Sequence, residues 1–187
     1  MTETQNVEAF ISTIEARSTE HHEAMTHAVQ HTWWAIAGSV LRLELDSMIR
    51  VIYLIHQPRD RRNRILTACL TGKGFKDGTH RIPDREMIET ARNDNGWVRT
   101  VYDFGNKFIH LTDAHNYADP KADPFKNYED REDVIKYLNS YHTGTMHGQR
   151  LDDTATFNDI TPYAPHVLSK ITSNINSYTR NLRETTS

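Results

Sequence analysis

Apolar residues recur at three- and four-residue intervals along most of this chain, the period of an amphipathic helix, and no pair of alternating runs marks a sheet. The cleanest stripe is the last: Val167, Leu168, Ile171, Ile175, Tyr178 and Leu182, opened by Thr161 as a cap and Pro162 in the first turn. A first helical region runs from about Val7 to His31, with Phe10, Ile11 and Ile14 as one cluster and Met25, Ala28 and Val29 as another. The pattern leaves open a break at Ser18-Thr19. Trp33 to about His56 is the most apolar segment and predicts a central helix.

Pro58 suits the first turn of a short basic helix that ends near Leu70 at Thr71-Gly72-Lys73-Gly74. Phe75 to Ile82 reads as a loop or short extended turn. Pro83-Asp84-Arg85-Glu86 opens a helix that stops before Asn93-Asp94-Asn95-Gly96. Trp97 to about Thr112 and Asp130 to Tyr141 complete the helical segments, with His115–Glu129 and Gly144–Phe157 as loops. The expectation is an all-α, single-domain helical bundle over residues 1–187, with six to seven helices and long loops near 71–82, 113–129 and 142–160.

Some polar residues interrupt this pattern. On the central helix Val40, Leu41, Leu45, Met48, Val51, Ile52 and Ile55 share a face, with Arg42, Asp46, Arg50 and Tyr53 opposite. Glu44 projects near the middle of the apolar face, where a carboxylate is costly unless it is paired. It predicts a buried Glu bonded to a polar side chain, with Tyr102, Asn106 or His110 as partner. On the helix after Gly96, Arg99, Asp103, Asn106 and His110 are spaced four, three and four apart and form one strip. That strip reads as a solvated face or as the lining of a cleft or subunit interface.

Composition narrows the picture. The 187 residues carry a net charge of -3, so any nucleic-acid contact must come from a local patch. Arg59, Arg61, Arg62 and Arg64 supply one such block, which would bind phosphate, pair with the acidic segment around Asp119–Asp133, or face solvent. The lone Cys69 excludes an internal disulfide framework. Neither a signal-like N-terminus nor a membrane-length apolar run is present, so a cytoplasmic protein is expected. His27 and His31 have i, i+4 spacing without the Glu of a zinc-protease motif and read as surface histidines. A metal site built from Glu44, His110, Asp113 and His115 is the alternative that a helical bundle allows.

Gly105-Asn106-Lys107-Phe108-Ile109-His110 resembles the motif of HEPN domains, an all-α family whose signature is an Arg, a polar residue often Asn, and a His near a helix end. Asn106 and His110 match, and Gly105 stands where the family has Arg. The resemblance implies a homodimer that handles RNA or nucleotides, in bacterial defence or toxin–antitoxin biology. It further implies a metal-independent endoribonuclease, weak or inactive without the Arg, that needs no cofactor. His110 would transfer or orient the proton, Asn106 would orient it or contact phosphate, Arg99 would bind phosphate, and Glu44 would tune the His. A non-catalytic module that binds a partner protein is the other reading.

Overall fold

The computed structural model describes residues 2–119, 123–126, 128, 129, 131–143 and 150–186. The expected loops at 113–129 and 142–160 fall partly on residues 120–122, 127, 130 and 144–149, outside that set. The chain is all-α. Its helices are α1 (Glu3–Gln30), α2 (Trp34–Ile55), α3 (Arg59–Leu70), α4 (Asp84–Asp94), α5 (Val98–Ile109), α6 (Arg131–Tyr141), α7 (Phe157–Ile160) and α8 (Ala164–Glu184). The extended turn is a two-stranded antiparallel hairpin, β1 (Lys76–Asp77) and β2 (His80–Arg81). Among the described residues no helix is long and apolar enough to cross a membrane.

The residues gather into two compact units, Met1–Glu20, Asp46–Gly96 and Ile171–Ser187 in one and His21–Leu45 and Trp97–Lys170 in the other. In the first unit, Phe10, Ile11, Ile49, Ile52, Ile65, Met87 and Ile175 are among the buried apolar side chains. The arginine block of α3 lies here, and its pairing corrects the sequence reading. Arg62 and Arg59 bind the buried Glu3 at 2.8 and 2.6 Å, Arg64 binds Asp77 at 2.7 Å, and Arg61 reaches Asp77 at 3.3 Å and Glu86 at 3.6 Å. The four guanidinia pair with Glu3, Asp77 and Glu86 rather than with the described part of the Asp119–Asp133 segment, while Arg59 and Arg64 also face solvent, as one of the three readings has it. Arg61 and Arg64 clamp the hairpin onto α3.

In the second unit, Met25, Leu41, Leu45, Val101, Phe108, Val134, Leu138, Phe157 and Leu168 are buried. Ser18-Thr19 does not break α1, which runs unbroken for 28 residues. The helix ends at Thr32, which holds φ 56. Its N–H donates to the Val29 carbonyl at 3.2 Å, and the Trp33 N–H donates to that of Ala28 at 2.7 Å. This is the paired-bond termination normally built around a glycine. A β-branched residue in that conformation crowds its own carbonyl and is strained.

The projection of α2 is corrected in detail. Arg42 and Tyr53, placed opposite the apolar face, are 6% and 1% exposed, while Ile36 and Leu43 are 50% and 39% exposed. A central helix is covered on most of its circumference, so its polar side need not be its wet side.

Candidate functional site

Two glycines bring α2 and α5 together within the second unit. A methyl group at Gly38 would clash with Cδ2 and Cγ of the Phe108 ring, and one at Gly105 would lie 2.7 Å from Cβ of Arg42. Without side chains at these positions the backbones approach closely. The Ser39 hydroxyl can then donate to the Phe108 carbonyl at 3.3 Å. Gly105, the departure from the HEPN signature, therefore has a packing cause. The space beside it belongs to the stem of Arg42.

From that stem the Arg42 side chain runs along α5. Its Nε donates to Oδ1 of Asn106 at 3.0 Å, and its guanidinium carbon lies 3.9 Å from the centre of the Tyr102 ring. Arg42 thus ties down the Asn of the strip and stacks on the aromatic that flanks it. An arginine beside the motif exists, contributed by the neighbouring helix.

Glu44 is fully buried, as the projection requires. The structure pairs it with His21 of α1, whose Nδ1 lies 2.6 Å from the carboxylate, and not with Asn106 or His110. Asn106 accepts from Arg42, and the His110 ring makes no hydrogen bond among the described residues. Glu44 consequently acts on His21, and its expected influence on His110 is withdrawn. The signal for His21 is present in the sequence: Ile14, Ser18, His21, Met25 and Ala28 form one stripe at alternating four- and three-residue spacing, and all five are buried.

The α5 helix ends at Ile109, earlier than Thr112. His110 turns to an extended conformation with ψ 148 and is exposed. Thr112 terminates the helix, because its hydroxyl donates back to the Lys107 carbonyl at 2.8 Å and accepts from the Ala114 N–H at 3.3 Å. That second bond starts a 3-10 segment, Asp113–Ala118, where a loop was expected. Ile109 and Leu111, on either side of His110, are 46% and 94% exposed. Arg99, at the other end of the strip, is exposed and paired with Asp103 at 3.3 Å.

The four residues of the metal alternative are not gathered. Glu44 is bonded to His21, Nδ1 of His115 turns back to within 3.2 Å of the Thr112 carbonyl, and no group of three or more metal-binding side chains occurs among the described residues. The second unit also holds an apolar cavity of about 50 Å³, bordered by Trp34, Leu41, Val101, Phe108, Tyr137 and Val167, with no charged or histidine side chain in its lining. It is well below the roughly 150 Å³ void that accepts benzene. The same unit has a larger, open polar pocket of about 620 Å³ whose lining includes Arg131, Lys136, Arg150 and Asp152.

No protein-family model, curated protein or solved structure matches this chain.

Proposed function

We propose that the outer strip of α5 is the RNA-handling surface of a dimeric HEPN-like protein, with weak metal-independent endoribonuclease activity at most. One observation carries the reading. His110 is exposed, its ring unengaged among the described residues, one turn beyond an Asn106 whose side chain is fixed by the buried Arg42. A free imidazole beside a pre-oriented amide is a suitable pair for proton transfer at a phosphodiester.

The chemistry needs a base and an acid. One imidazole takes the proton of the attacking 2′-hydroxyl as its oxygen bonds to phosphorus. As the P–O bond to the 5′-oxygen breaks, another donor protonates that oxygen. Each chain offers one such His on the strip, so the partner subunit's His110 is the natural acid. The exposed Ile109 and Leu111 beside it, with Trp33, Ile36 and Leu43 exposed on and beside α2, supply apolar surface for a second copy. Arg99 would meet phosphate by giving up its exposed Asp103 pair, an exchange of low cost.

The test is cleavage of labelled single-stranded RNA by purified protein in excess chelator, together with light scattering at tens of micromolar. The expected result is a dimer with slow, chelator-resistant cleavage that His110→Ala abolishes and His115→Ala leaves. A monomer, or cleavage that survives His110→Ala, would overturn the reading. The same exposed apolar residues favour a second reading, a non-catalytic partner-binding module, which predicts no cleavage under any condition.

A further inference from the structure

The α3 arginines are all held in ion pairs, but the segment that follows them carries positive charge that is not. Residues 71–85 carry Lys73, Lys76, Arg81 and Arg85 against Asp77 and Asp84. Asp77 is already taken by Arg61 and Arg64. None of the four cationic side chains forms an ion pair among the described residues, and Lys73, Arg81 and Arg85 are exposed. Lys76 and Arg81 are direct cross-strand partners in the hairpin. Opposed like charges at that position destabilise a two-stranded ribbon. In a chain of net charge -3, the arrangement works against the free protein and favours a bound anion.

We propose that the β1–β2 hairpin is a docking surface for the phosphate backbone of single-stranded RNA, with Lys76 and Arg81 bridging neighbouring phosphates and Lys73 and Arg85 extending the track. The choice of RNA as the polyanion rests on the function proposed above, whereas the site itself does not. Cross-strand partners hold their side chains on one face, about 5 Å apart at Cβ, close enough to address consecutive phosphates. A membrane surface is disfavoured by the same geometry. The apolar residues that flank the hairpin, Phe75 and Ile82, are buried, so nothing there inserts among lipid chains. The clamp of Arg61 and Arg64 on Asp77 keeps the ribbon fixed, and Gly72, Gly74 and Gly78 at positive φ shape the turns around it.

The experiment measures binding of a fluorescent 20-nucleotide single-stranded RNA by anisotropy, from low to moderate salt, in chelator at a temperature where cleavage is negligible. Lys76→Ala with Arg81→Ala should weaken binding at least fivefold at low salt. It should also reduce the slope of log affinity against log salt by about 1.4, the share of two single-strand phosphates. Lys76→Glu gives the sharper contrast. It replaces the repulsion with a cross-strand pair, so the amides of the free hairpin should gain protection from exchange while RNA binding falls. Wild-type protein that binds no RNA, or variants with unchanged affinity and slope, would overturn the proposal. Loss of hairpin-dependent binding with intact His110-dependent cleavage rejects this surface alone, and the converse rejects the α5 site alone.

Discussion

Nδ1 of His21 and the carboxylate of Glu44 stand 2.6 Å apart, with 9% and none of their side-chain surfaces exposed. A carboxylate so placed is tolerable only while its partners hold, since a buried polar group without one is left to bear its full desolvation cost.

Glu44→Gln should therefore lower stability by about 1–3 kcal/mol. Combined with His21→Ala in a double-mutant cycle followed by urea unfolding, it should show a coupling of about 1 kcal/mol or more. A Glu44→Gln protein that melts like wild type would show that the charge is dispensable.

Gly105 should tolerate nothing larger. Even Gly105→Ala must push Arg42 and the α2 backbone outward, and overpacking of this kind costs about 1–3 kcal/mol. Gly105→Arg should fail to fold or lose its thermal transition, rather than restore a nuclease motif. A well-folded Gly105→Arg protein with a wild-type melting curve would contradict the close approach of α2 and α5.

Thr32→Gly should stabilise the protein by about 1 kcal/mol, because glycine relieves the crowding of a side chain at φ 56. Thermal unfolding is the check, and a melting temperature at or below that of wild type would remove strain from the account of this turn.

The hairpin clamp should respond to acid. The hydrogen bond from Arg64 holds the Asp77 carboxyl below its ordinary range. Its contribution is therefore present above the unfolded-state value near about 4 and is lost as pH falls through the lower folded value. Protection of the amides across 75–82, relative to their intrinsic exchange rate, should fall below that point, and Asp77→Asn should show the lower protection already at neutral pH. Equal exchange in both proteins at neutral pH would mean that the ion pairs do not hold the ribbon.

The helices are legible in the sequence because their signal is local: a stripe such as Val167 to Leu182 states its own period and its own caps. Glu44 is legible as a buried anomaly for the same reason. Its pairing with His21 is not, because pairing depends on which helices become neighbours, and His21 sits in a stripe whose apolar members dominate the pattern. The end of α5 falls three residues before the expected one, since Thr112 stops the helix through a side-chain bond that no periodicity records. Four arginines in one short helix resemble a phosphate site. Glu3, Asp77 and Glu86 come from three separate segments, and only the folded chain shows them paired with that block.

The contact between Arg42 and Gly105 also constrains how this sequence can drift. The stem of one residue occupies the room that a side chain on the other would need. The obstructing atom is Cβ of residue 42, which every residue but glycine carries, so a descendant that acquires a side chain at position 105 must also part the backbones of α2 and α5 or place glycine at position 42. Position 105 should therefore stay glycine while the length of residue 42 varies, and diverged relatives with large side chains at 105 and an unchanged helix spacing would refute the close approach.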